Sequence, residues 1–142
     1  MIGKRKIRKE WDELYGNFPL ESLPWHSERP AKPLINILSR GGIKRGRVLD
    51  ICSGAGTNAV YLASKGFSVV AADISYLAIK RARERIRKKQ QRCNLLVADA
   101  VNLPFKNMAF DFIFDRGCFH HIPAQERKMF IAGLHRALKL QG

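Results

Sequence analysis

The chain has 142 residues, 46% of them apolar, which suffices for one buried core and excludes a disordered tail. Its longest apolar runs fall far short of the roughly 20 residues of a membrane span, and the opening MIGKRKIRKE leads into no apolar region, so neither an anchor nor a signal peptide is expected. The formal net charge of +14, from 26 basic and 12 acidic residues, leaves two readings open, a surface that tracks phosphates and a solvated helix face.

In chain order, residues 8–16 predict a short helix carrying Trp11, Leu14 and Tyr15, ended by Gly16, Asn17 and Pro19. A proline-punctuated loop follows, and Pro33 opens a second helix closed by Gly41 and Gly42. From there the pattern is regular. GRVLDIC, FSVVAAD, NLLVAD and MAFDFIFD read as strands. NAVYLASKG reads as a helix between the first two, and SYLAIKRARERIRKKQQ as one capped by Ser75. PAQERKMFIAGLHRALKL reads as a last helix with Pro123 in its first turn. Strands alternating with helices require crossover connections, hence an α/β fold with a mostly parallel sheet and helices on both faces.

The basic residues cluster in KRKIRK (residues 4–9), KRGR (44–47) and KRARERIRKKQQR (80–92). In the last of these Leu77, Ala78, Ala82 and Ile86 supply an apolar stripe at helical spacing, so a solvated outer face is the favoured reading. Cys52, Cys93 and Cys118 are odd in number and lack metal-ligand spacing. They argue against a disulfide scaffold or a zinc site and suit a reducing compartment, so a cytoplasmic location is expected.

Each of the four strands ends in an aspartate: Asp50, Asp73, Asp99 and Asp115, four of the six in the chain. In open parallel sheets the ligand crevice lies beyond the carboxyl ends of the strands. Carboxylates gathered there repel one another unless a ligand with donors or positive charge offsets them. Between the first strand and its helix, Gly54 and Gly56 mark a sharp turn where a side chain would block a ligand. GAGTNA satisfies a dinucleotide-binding pattern, with Asp73 near the distance of a ribose-binding acid. Asp50 and Asp99 argue against a pyrophosphate at that helix end and for a ligand with an amine and a sulfonium.

DICSGAG resembles the first motif of the class I S-adenosylmethionine-dependent methyltransferases, Asp/Glu-x-Gly-x-Gly-x-Gly, with Cys52 in place of the first glycine. The resemblance implies a Rossmann-like three-layer sandwich with strand order 3-2-1-4, truncated relative to the seven-stranded family fold. It implies S-adenosyl-L-methionine as cofactor and S-adenosyl-L-homocysteine as product. Asp50, Cys52, Gly54 and Gly56 would lie against the methionine part. Asp73 would accept from the ribose hydroxyls and Ile74 would lie against the adenine. Asp99 and the Ala100 amide would read the adenine edge, since VADAVNLPF resembles the third motif, and Asp115 would stand near the transferable methyl group.

Within that superfamily, FDFIFDRGCFHHIPAQERKMFIAGLHRALK, WDELYG and PWHSERPAKPL are similar to the thiopurine methyltransferase-like and tellurite-resistance-type branch. That likeness implies an N-terminal segment, residues 1–46 with Trp11 and Trp25, folded as a lid over a cofactor-binding core, residues 47–142. A small-molecule acceptor, a thiol or other chalcogen, would face Arg116, His120 and His121, with no metal needed and no catalytic residue assigned. A basic RNA-binding or RNA-methylating module on the same fold is the rival reading, and no membrane partner is expected. Strand four, at the edge of the sheet, predicts a homodimer.

Overall fold

The structure is a computed structural model and describes residues 2–140. Four parallel strands, β1 (Arg47–Ile51), β2 (Ser68–Asp73), β3 (Asn94–Val97) and β4 (Phe112–Asp115), form one sheet in the order β3-β2-β1-β4. Val48 pairs with Val69 on one side and Phe112 on the other, which fixes the register of the three strands around β1. Among the described residues five α-helices surround them: α1 (Ile2–Asn17), α2 (Lys32–Ser39), α3 (Thr57–Ser64), α4 (Tyr76–Lys88) and α5 (Arg127–Ala137). The strand order and the two helical layers are those the sequence predicts.

Both faces of the sheet are buried, which is why β1 and β2 read as continuous apolar runs rather than as alternating ones. Leu49, Ile51, Val70 and Ala72 face one cluster with Phe110 and Phe130. Val48, Val69 and Ala71 face the other, with Leu34 and Leu62. The same alternation puts Phe112 and Phe114 of β4 against the second cluster and Ile113 against the first. β4 lies at one edge among the described residues, and Phe110, just before it, makes a single parallel bridge to Leu138.

Several boundaries differ from the sequence reading, among them the start of β4, at Phe112 rather than Met108, and the end of the last helix, at Ala137 rather than Leu140. α1 starts at Ile2 rather than near residue 8, because its lysines, arginines and glutamates are good helix formers and carry the helix through the basic opening. β3 stops at Val97, so Asp99 stands two residues past the strand. Pro123 precedes a single 3-10 turn, Ala124–Glu126, before α5 begins. The Ser75 cap is as expected, its hydroxyl accepting from the Ala78 N–H at 3.0 Å.

α1 is held to the core at the start of α4. Asp12 Oδ1 accepts from the Ser75 hydroxyl at 2.6 Å and from the Leu77 N–H at 3.1 Å, and Tyr15, Leu23 and Ala78 bury a small cluster beside these bonds. The first helix is therefore fixed over the carboxyl ends of the strands. No helix among the described residues is long and apolar enough to cross a membrane.

Candidate functional site

A cavity of about 810 Å³ opens beyond the carboxyl ends of the strands. Its size is that of a pocket for a nucleoside-sized ligand with room beside it. The turn after β1 supplies Asp50, Cys52, Gly54 and Gly56, the tip of β2 supplies Asp73 and Ile74, and the segment after β3 supplies Asp99 and Ala100. The loop after β4 supplies Arg116, His120 and His121, and Trp11 of α1 and Trp25 of the following loop also line the space. The fold thus gathers all but one of the sequence-predicted site residues around a single space.

The exception is Asp115. It does not line the cavity; its carboxylate turns back to accept the Cys118 N–H at 2.8 Å and the Phe119 N–H at 3.3 Å. The short 3-10 turn Phe119–His121 begins there, and the acid satisfies its free N–H groups.

Asp50 and Asp73 carry the electrostatics. Asp50 is 2% exposed, and its Oδ2 finds no hydrogen-bond partner among the described residues. Burial, with the neighbouring Asp73 and Asp115 charges adding to it, pushes its carboxyl up to about 8. A neutral acid is the cheapest state for such a group alone; a ligand cation beside Oδ2 would restore the carboxylate. Asp73 Oδ2 accepts from the Gly54 N–H and Oδ1 from the Ser75 N–H, each at 2.9 Å. Burial raises the Asp73 carboxyl and these backbone donors oppose the rise. Each oxygen keeps a lone pair for a ligand hydroxyl.

Asp99 is less buried and already partnered, by the Val101 N–H at 3.0 Å and, more weakly, by Lys4 at 3.4 Å, which also binds Glu126 at 2.8 Å. Cations therefore do not occupy the acidic tips as a group: Asp50, the most deeply buried, has none.

Both glycines of the turn are left-handed, as a sharp turn requires. A Cβ on Gly54 (φ +55°) would stand 2.8 Å from the Tyr15 hydroxyl, and one on Gly56 (φ +84°) 3.0 Å from the Ala82 Cβ. Gly56 is required for the left-handed backbone and for close approach to α4.

Cys52 is also in the left-handed region, at φ +54°, and it is bonded to Cys118. The odd cysteine count led to the expectation of no disulfide. That is corrected, because Cys52 after β1 and Cys118 after β4 come together across 66 residues on adjacent parallel strands, with Cα atoms 5.6 Å apart.

Aromatic rings run across one wall. The Trp25 Nε1–H donates to the Tyr15 hydroxyl at 2.9 Å, Trp11 makes edge contacts with Trp25 at 5.3 Å and His121 at 5.2 Å, and His121 lies 4.1 Å from His120. Burial and the adjacent His120 lower the His121 imidazole, favouring its neutral form near neutrality.

Sequence reasoning missed Asp12 and Glu28. Glu28 binds Arg85 through both oxygens at 2.7 and 2.8 Å, and Arg85 also donates to the Ala55 carbonyl at 3.1 Å, so part of the basic helix is spent holding the turn after β1. No sequence signal marks either pairing, since they link residues 57 and 63 apart.

The model of a family described as a methyltransferase domain matches residues 48–142. An uncharacterized methyltransferase of Synechocystis sp. is 34% identical over 110 residues, covering 78% of this chain and 49% of that protein. A structure solved in work on the conversion of a disulfide bond into a thioacetal group during echinomycin biosynthesis superposes with a TM-score of 0.85 at 30% identity, over 93% of this chain and 56% of that one. Phosphoethanolamine N-methyltransferase 2 of Haemonchus contortus, solved with S-adenosyl-L-methionine, gives 0.66 at 31% identity, over 78% and 27%. The chain spans about half the length of the Synechocystis relative.

Proposed function

The chain belongs to the methyltransferase domain family, of the class I S-adenosylmethionine-dependent type, and from that premise we propose that it binds S-adenosyl-L-methionine in the cavity and transfers its methyl group to a small-molecule acceptor. The observation that carries this reading is the unpartnered, buried Asp50 carboxyl at the glycine turn, which matches a ligand bearing an ammonium group and no phosphate.

In this reading each residue has a limited task. Asp50 pairs with the amine of the methionine part, and Asp73, its orientation fixed by the Gly54 and Ser75 amides, receives the ribose hydroxyls. Ile74, Asp99 and Ala100 bound the adenine pocket, and Trp11 and Trp25 exclude water above it, so that residues 1–46 act as a lid on the core of 47–142. When bound, the cofactor supplies a methyl group activated by a sulfonium leaving group. The protein's contribution is alignment of an acceptor with it. Arg116 and His120 would orient the acceptor, and neutral His121 could take a proton from it.

The finer reading keeps a thiol or other chalcogen as acceptor, since such a nucleophile is partly anionic near neutrality. It keeps the thiopurine methyltransferase-like or tellurite-resistance-type branch on the strength of Asp115-Arg116-Gly117 and the N-terminal segment, and a cytoplasmic location. It keeps a homodimer through the exposed edge of β4, for which light scattering at micromolar concentration is the test and a monomer the contrary result. Calorimetric titration with S-adenosylhomocysteine, with NAD and with a short RNA at two salt concentrations tests the main reading. Binding of the first alone supports it; RNA binding with a steep salt slope and no response to the nucleoside would replace it with the basic-module reading.

A further inference from the structure

The disulfide joins the two loops that meet at the cavity floor. Cys52 is the first residue after β1 and Cys118 the third after β4, and both line the cavity. Cys118 is 2% exposed, packed in the cluster of Leu49, Val101 and Phe110, with its N–H held by Asp115. Cys52 is half-buried on the cavity side, in a left-handed conformation that an L-residue other than glycine adopts at a cost. Such a conformation persists only where the surroundings fix it. A covalent tie from the Cys52 side chain to the rigid β4 loop does so.

We propose that Cys52 and Cys118 are a reversible dithiol–disulfide site whose closed form holds the turn after β1 in the shape that receives the cofactor, and whose open form lets that turn relax. The regulatory half of this inference rests on the S-adenosylmethionine reading above. The oxidant is a low-molecular-weight disulfide of the glutathione class. The Cys52 thiolate, reached through the cavity, attacks one sulfur of glutathione disulfide, forming a mixed disulfide and expelling one glutathione thiolate. The Cys118 thiolate then attacks the Cys52 sulfur, closing the bond and expelling the second glutathione thiolate. Two protons pass from the cysteines to the departing thiolates, and the two electrons lost by the cysteine pair reduce the glutathione disulfide. Cys93 stands apart from this chemistry: it packs against the opposite face of the sheet, its thiol donates to the Ala59 carbonyl at 3.7 Å, and burial pushes the thiol up to about 11.

The test equilibrates the full chain in glutathione buffers of different oxidation, alkylates it under denaturing conditions, reads the mass, and titrates parallel samples with S-adenosylhomocysteine. One alkylated cysteine in the oxidised sample and three in the reduced one is the expected count, with the nucleoside bound about fivefold tighter by the oxidised form. C118S, which cannot close the bond, should lose the tightening seen in the oxidised parent. C52G, in which glycine adopts the left-handed turn freely and no bond can form, should show one affinity in both buffers. Three alkylated cysteines in every buffer, or a bond that forms without changing affinity, would overturn the inference. If neither form binds the nucleoside, the cofactor reading fails and takes the regulatory claim with it, while the cysteine count separates that failure from one in the disulfide itself.

Discussion

The backbone N–H of Gly54 donates to the Asp73 carboxylate at 2.9 Å, so the turn that leaves β1 is tied to the tip of β2. One carboxylate therefore shapes the loop and faces the cavity at once. Asp73→Ala removes the acceptor for Gly54 and Ser75 and, in the proposed function, the partner for the ribose hydroxyls. We expect S-adenosylhomocysteine affinity to fall about 30-fold, equivalent to about 2 kcal/mol for lost charge-assisted hydrogen bonds. Calorimetry reads this directly, and an affinity within twofold of the parent would show that Asp73 serves only the turn.

Asp50 gives the protein a pH signature. Its carboxyl is held up at about 8 in the folded chain and returns to the ordinary range near 4 on unfolding. Between those values the folded state binds more protons than the unfolded one, so stability declines as pH rises from about 4 to about 8. Asp73, raised in the same direction, adds to the slope, so Asp50→Asn should reduce it without abolishing it. A ligand ammonium would ionise Asp50, and at pH 6.5 binding should release up to about one proton. Calorimetry in buffers of different ionisation enthalpy measures that release, which Asp50→Asn should eliminate. Equal release by parent and variant would remove Asp50 from the amine site.

Gly56 carries the joint between α3 and α4. With φ at +84° and a virtual Cβ 3.0 Å from Ala82, Gly56→Ala meets both backbone strain and a steric contact. The expected cost is at least about 2 kcal/mol, visible as a urea midpoint lower by about 1 M. A midpoint unchanged within error would mean that α4 shifts without penalty.

The parts of this molecule legible in its sequence are those governed by local pattern. Val48 and Leu49 face opposite clusters, so the strand had to read as an unbroken apolar run, and Ser75 before a helical stripe had to read as a cap. The acidic tips were legible because a parallel sheet brings its strand ends together. The bonds of Asp115 to the Cys118 and Phe119 amides were not legible, because Asp is equally suited to a ligand and to the first N–H groups of a turn. Asp12 with Ser75, Glu28 with Arg85 and Cys52 with Cys118 were illegible for a shared reason: each pairs residues from distant elements whose meeting depends on the completed fold.

Trp25 tests whether the N-terminal segment closes on a ligand. The residue is 45% exposed, yet its ring makes an edge contact with Trp11 and donates to the Tyr15 hydroxyl at 2.9 Å. An exposed tryptophan with a satisfied N–H gains little from the rest of the core, so its placement is best explained by what lies beneath it. Trp25→Phe keeps the ring and loses the donor, leaving the buried Tyr15 hydroxyl with a broken contact, and should weaken nucleoside binding about three- to tenfold, the loss expected for one hydrogen bond. Because Trp11 and Trp25 are the two tryptophans of the chain, intrinsic fluorescence should change when S-adenosylhomocysteine is added, and most of that change should vanish in the variant. A full fluorescence response in Trp25→Phe, with unaltered affinity, would confine the lid to Trp11 and leave Trp25 a surface residue.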